Sequence, residues 1–318
     1  MDYKHINEIN LDQLEAGNKY KFWFDLVSGP FGNPISLPVI IVKGSEPGPT
    51  VGITAAVHGN ELNGIPVIHK FIDSIDPVLF KGNIIAIPVV NVPSFMNKKR
   101  RFIDGTDLNH IMPGKADGNV SQVYAYRFAE KILPHFDFLI DLHTASFGRI
   151  NSFYVRADMS MEITRKMAMF QNPQIIVHNP PSDGTLRGAA AEMDIPAITV
   201  EAGNPNTFQR GMIKDSLTGI RNVVIDLGMM AGEIVKDEVS PILCKKSYWI
   251  YTNHGGLLTV YPGLTDDVHK DKMIAKQLDI FGSLKKEYFA PEDGILIGKS
   301  VSPVNQTGGR ILHLGIKE

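Results

Sequence analysis

The sequence predicts an α/β protein built on a largely parallel sheet, followed by a small all-β domain. Three observations lead there. Between about residues 36 and 230, short β-branched runs alternate with longer segments whose apolar residues recur at three- and four-residue steps. After about Pro241 the runs become short and are separated by Gly, Pro and Asp, the texture of an all-β unit. The length, 318 residues, exceeds one typical domain and allows two unequal ones. The division expected is 1–243 for the large unit and 244–318 for the small one.

In chain order, strands are expected at 37–42, 50–57, 83–90, 138–142, 152–156 and 197–201, each rich in Val, Ile, Leu or aromatic residues. Helices are expected between them at 62–75, 120–133, 160–170 and 219–230. The small unit contributes strand-like runs at 248–251, 256–261, 286–289, 294–297 and 310–314, with one helical or extended stretch at 273–281. No repeat of 20 to 50 residues and no low-complexity segment is present, which sets aside solenoids and long linkers.

Hydrophobic residues make up 43% of the chain and charged residues 21%, with 32 basic against 34 acidic side chains, the balance of an ordinary globular protein. The longest basic run, Lys98 to Arg101, has no aromatic-interleaved stripe beside it, so nucleic acid is not an expected partner. The polar, charged start lacks the apolar stretch of a secretory signal, and no apolar run approaches the roughly 20 residues of a membrane span. A reducing, cytoplasmic setting is expected. The single cysteine, Cys244, excludes an internal disulfide and a Cys-rich metal site.

Three predicted strand ends carry side chains capable of chemistry. AAVHGNELNG puts His58 and Glu61 three residues apart, so that imidazole and carboxylate can converge on one ion, a pairing suited to zinc. FLIDLHTA delivers Asp141 and His143; His143 follows Glu61 by a long insert of the kind found at catalytic zinc, and Asp141 can orient a liganding His. AITVEAGNP ends in Glu201, which facing a metal can take a proton from water and pass it to a leaving amine. Each has an ordinary structural reading as well: a loop His, a helix-capping Glu, a paired acid at a strand end. Ligand sites in open α/β sheets gather at such carboxyl ends.

The ordered motifs His58-Gly-Asn-Glu61, RFIDGTDLN (101–109), Asp141-Leu-His143-Thr, GTLRG (184–188) and Glu201-Ala-Gly resemble those of the succinylglutamate desuccinylase/aspartoacylase family, which is related to the zinc carboxypeptidases. The resemblance covers about residues 36–318. It implies a zinc-carboxypeptidase-like three-layer α/β fold with a mixed, largely parallel sheet and a small C-terminal all-β barrel-sandwich domain. It also implies one Zn2+ held by His58, Glu61 and His143, with Glu201 as general base and then acid. Arg101 would polarise the scissile carbonyl, with Arg100 as the adjacent candidate; Asn109, His110 and Arg187 would contact substrate. One position departs from the family: after Asp107-Leu-Asn109 the usual residue is an Arg that grips a substrate carboxylate, and here it is His110, whose charge is conditional near neutral pH.

The expected activity is hydrolysis of the amide bond of a small N-acylated amino acid or amine. A carboxypeptidase acting on short peptides shares the metal site, and a non-catalytic binding protein shares the fold. Serine-hydrolase, P-loop and dinucleotide motifs are absent. The C-terminal segment is similar to biotinyl and lipoyl domains but offers no clear carrier lysine at Lys270 or Lys272, which points to a structural domain at the active-site mouth or an oligomer contact.

Overall fold

The computed structural model describes residues 3–181 and 183–318. At its centre, strands Lys81–Ile87, Glu46–Ala55, Phe138–His143 and Ala197–Ala202 lie side by side, all parallel. Phe153–Ala157 then runs antiparallel to Ala197–Ala202 and parallel to Ile175–His178. On the other side, Asn18–Ser28 and Pro34–Lys43 form a hairpin that joins antiparallel to Lys81–Ile87. The expected mixed, largely parallel sheet is therefore present.

Both faces of the sheet are covered, which explains why its strands read as near-continuous apolar runs. Val51, Ile53, Ile140, Leu142, Ile198 and Val200 face one core, shared with helices Gly64–Ser74, Glu162–Phe170 and Arg210–Asp226. Ile85, Ile87, Leu139 and Ala197 face the other, shared with helices Val120–Lys131 and Leu186–Ala191. This is a three-layer α/β fold. Gly64 lets the first helix approach closely, since a Cβ there would lie 2.7 Å from the Ala55 side chain and 2.8 Å from that of Leu142.

The C-terminal part is all-β, as expected. Its small sheet, Leu284–Phe289, Met273–Leu278, Gly256–Val260 and Val304–Asn305, packs on strands Ile242–Tyr251, Arg310–Lys317, Gly294–Ser300 and Asp267–Val268 through Leu258, Ile274, Leu296, Leu312 and Leu314. The stretch left open between helix and strand is a strand, Met273–Leu278. The second group of strands belongs to the main sheet: residues 242–244 pair with 175–177, and from Cys244 onward the same strand pairs with Arg310–Lys317. One strand thus serves both parts of the molecule, across the expected 243/244 boundary.

Sequence and structure differ locally for physical reasons. The helix expected at 219–230 begins at Arg210, because a polar first turn and Gly211 hide its start. Strand Asn18–Ser28 has no sequence-level counterpart, since Phe22, Trp23 and Phe24 in succession mask its alternation.

Candidate active site

Period-two geometry makes the site. Leu139 on Phe138–His143 and Ala197 on Ala197–Ala202 point into one core. Asp141, His143, Thr199 and Glu201 continue the same face toward the carboxyl ends of those strands. Register pairs Glu201 with His143 and, on the other flank, with Tyr154. His58 and Glu61 arrive from the next strand over, in a turn closed by Glu61 N–H donating to the His58 carbonyl at 3.0 Å. Gly59 is required in that turn: a Cβ there would come within 2.1 Å of the Ser94 backbone.

His58, Glu61 and His143 are buried, and one ligand atom from each lies within 4.8 Å of the others. Both imidazoles are held by carboxylates on their far side. His58 donates from Nε2 to Asp107 at 2.9 Å, and His143 donates from Nε2 to Asp141 at 2.7 Å. That leaves each Nδ1 turned toward Glu61, at 2.9 Å in both cases. Asp141 is itself fixed by the Thr54 hydroxyl at 2.7 Å. Glu61 accepts from the Thr144 amide at 3.1 Å and the Ser146 hydroxyl at 2.9 Å. Burial opposes its charge, but the adjacent imidazoles outweigh burial and hold the carboxyl well below the usual range. Two imidazole nitrogens and a carboxylate, with no thiolate, fit zinc in the three-ligand arrangement that leaves a position open.

Glu201 sits beside this cluster and accepts from Asn151 Nδ2 at 3.2 Å. Burial raises its carboxyl above the ordinary value, with His143 working in the opposite direction. The two carboxyls of one cavity are thereby set apart in how readily each holds a proton.

The structure brings Arg100 into the cavity and leaves Arg101 out of it. Arg100 donates to Glu61 at 2.9 Å and, through Nε, to Asp107 at 2.9 Å, whereas Arg101 is exposed and donates to the Gly105 carbonyl at 3.0 Å. Asn109 lines the cavity, but its carbonyl accepts from the Leu186 amide at 2.8 Å and so anchors the GTLRG loop. His110 stands at the mouth, its side chain 68% exposed. Arg187 also lines the cavity; it is buried, not a solvated loop charge, and its guanidinium is committed to Asp183 at 2.7 Å and the Asn179 carbonyl at 2.8 Å.

The cavity, about 300 Å³, gathers all eight sequence-level site residues except Arg101. It also takes in residues the sequence reading did not single out: Ser146, Arg149, Asn151, Tyr154 and Arg156, with Trp249 and Arg310 from the C-terminal part. Asp107, behind His58, was visible only as part of a motif. Trp249 and Arg310 carried no signal, because they lie in a segment whose pattern reads as a separate domain.

The model of the succinylglutamate desuccinylase/aspartoacylase catalytic domain matches residues 47–227. An N-alpha-acetyl-L-2,4-diaminobutyric acid deacetylase from Halomonas elongata is 28% identical over 280 residues, covering 83% of this chain and 81% of that protein. Among solved structures, the product-bound ectoine utilization protein EutE (DoeB) of Ruegeria pomeroyi superposes with a TM-score of 0.87 at 22% identity, over 95% of this chain and 97% of that one. A succinylglutamate desuccinylase/aspartoacylase from Rhodobacter sphaeroides gives 0.86 at 20% identity, over 98% of both chains.

Proposed function

We propose, from the premise that this chain belongs to the succinylglutamate desuccinylase/aspartoacylase family, that it is a zinc-dependent deacylase of small N-acylated amino acids. The observation that carries the reading is the convergence of His58, Glu61 and His143 with Glu201, from three adjacent strands, in one cavity. The relative from Halomonas elongata makes an Nα-acetylated diamino acid the first substrate to try.

His58, Glu61 and His143 would hold the ion, and when bound it supplies Lewis acidity toward water and the acyl carbonyl. Asp107 and Asp141 keep each imidazole in the tautomer that leaves Nδ1 free. Glu201 accepts a proton as the water oxygen bonds to the carbonyl carbon. It then returns the proton to the amine nitrogen as the C–N bond breaks, leaving a carboxylate and a free amine. We assign Arg100, rather than Arg101, to the oxyanion that develops on the carbonyl, because its guanidinium lies within the cavity.

The test is a hydrolysis screen of the zinc-loaded protein against Nα-acetyl-L-2,4-diaminobutyrate, N-acetyl-L-aspartate, N-succinyl-L-glutamate and simple dipeptides. Release of the amine from an N-acyl amino acid is expected. A preference for dipeptides would make the protein a carboxypeptidase instead.

A further inference from the structure

Five arginines line the cavity: Arg100, Arg149, Arg156, Arg187 and Arg310. Three are already engaged. Arg100 pairs with Glu61 and Asp107, Arg187 pairs with Asp183, and Arg156 donates to Asn179 at 3.2 Å and to the Tyr154 hydroxyl at 3.1 Å. Arg149, Arg156 and Arg310 form no salt bridge among the described residues, but Arg156 has two guanidinium nitrogens already hydrogen-bonded. Arg149 spends only its Nε, on the Ser146 carbonyl at 2.6 Å, and no side-chain hydrogen bond of Arg310 is present among those residues.

Both guanidiniums lie over the ring of Trp249, 5.4 Å from its centroid for Arg149 and 5.2 Å for Arg310. A π face suits a cation but neutralises none of its charge. Trp249 is in turn fixed by His313, which stacks on it at 5.0 Å and 11°. Burial, together with the charges of Arg156, Arg149 and Arg310, pushes the His313 imidazole well below its ordinary value, so it adds no cation of its own. Burial and the proximity of Arg310 and Arg100 lower Arg149 to about 10, which leaves it charged at neutral pH. Two positioned cations with no salt-bridge partner among the described residues thus face the same cavity as Glu201 and the His58 cluster, and the Glu61 and Glu201 carboxylates act on Arg149 only through space.

We infer that Arg149 and Arg310, seated on Trp249, form the site for the free carboxylate of the N-acyl amino acid. The substrate class is thereby narrowed to acylated amino acids with an unblocked carboxylate, as opposed to neutral acylated amines. The inference rests on the deacylase reading above. It gives the C-terminal part a direct role in specificity, since Trp249 and Arg310 belong to strands Ile242–Tyr251 and Arg310–Lys317. It also accounts for His110 at the position where the family pattern has Arg: the exposed His110 need not grip the carboxylate if two arginines across the cavity do so.

The chain has two tryptophans, so Trp23→Phe leaves Trp249 as the sole reporter. In that background, Trp249 fluorescence is titrated with L-2,4-diaminobutyrate, which carries the carboxylate and has no amide to cleave, and with its carboxamide. The acid is expected to bind 10- to 100-fold more tightly than the carboxamide, the scale of one or two charge-assisted hydrogen bonds. Arg310→Ala and Arg149→Ala should each remove most of that preference, and Arg310→Lys should restore part of it. In turnover of Nα-acetyl-L-2,4-diaminobutyrate, Arg310→Ala should raise KM by a similar factor with little change in kcat. Equal binding of acid and carboxamide, or a preference that survives Arg310→Ala, overturns the assignment. Discrimination between the probes with no hydrolysis of any N-acyl amino acid would remove the deacylase reading and leave the carboxylate site standing. Hydrolysis with both arginine variants unchanged would do the reverse.

Discussion

At the scale of single residues, the chemistry depends on which side chains face the cluster formed by His58, Glu61 and His143. Arg100 and Arg101 are neighbours, and nothing in the sequence chooses between them. The choice is made by a chain reversal at Lys98, whose φ is +54°, and by Asp107, which takes the Arg100 guanidinium. Arg100→Ala is expected to lower kcat/KM by about 10²- to 10³-fold, the usual effect of losing one oxyanion donor. Arg101→Ala should stay within about threefold on the same scale, and steady-state kinetics of the two variants side by side decides the matter. Glu201→Gln should retain metal and lose turnover, whereas His58→Ala and His143→Ala should lose both; metal analysis beside the activity assay separates these outcomes. For Asp107→Asn and Asp141→Asn, competition with a chelator should show metal affinity weakened about 10- to 100-fold. Asp141 was legible as an orienting partner because it sits two residues before His143 on one strand face. Asp107 was not, because its contact with His58 spans 49 positions and nothing local announces it.

At the scale of elements, what was legible was the pattern, and what was not was the pairing. Alternating apolar residues identified the strands ending in His143 and Glu201, and their polar ends marked where the site would lie. Adjacency is a different matter. That Glu201 stands level with His143 follows from the register of Ala197–Ala202 against Phe138–His143, set across the intervening residues 144–196 by core packing on both faces. Turn constraints were equally hidden: Gly59 reads as one more flexible loop residue, yet only the absence of a Cβ lets the His58–Glu61 turn pass the Ser94 backbone. Gly59→Ala is expected to cost about 1–3 kcal/mol of stability by overpacking and to weaken metal binding, measured by denaturant unfolding and metal titration. Unchanged values for both would show that the turn has room.

At the scale of the whole molecule, the sequence separated two textures correctly and left their connection unseen. Strand Ile242–Tyr251 pairs with Ile175–His178 at one end and with Arg310–Lys317 along the rest. Strand Arg149–Asn151, which holds Arg149 and Asn151, pairs with Gly294–Ser300 of the C-terminal part. Such pairings join residues from 59 positions apart (Tyr251 with Arg310) to 151 apart (Ser300 with Arg149), beyond the reach of local periodicity. A chain ending at residue 243 should therefore lose the partners of Arg149–Asn151 together with Trp249 and Arg310. Circular dichroism melting is expected to show a lower or non-cooperative transition, with no deacylase activity. A stable, active fragment would mean that the two parts are independent.

The central claim is that metal chemistry at His58, Glu61 and His143, with Glu201 as proton carrier, hydrolyses an N-acyl amino acid. It is tested most directly by following amine release from Nα-acetyl-L-2,4-diaminobutyrate by the zinc-loaded protein, the same protein after chelation and dialysis, and the chelated protein resupplied with zinc. Turnover that is lost on chelation and restored by one equivalent of zinc is the predicted result. Turnover indifferent to chelation, or none from any N-acyl amino acid at full zinc occupancy, would contradict it.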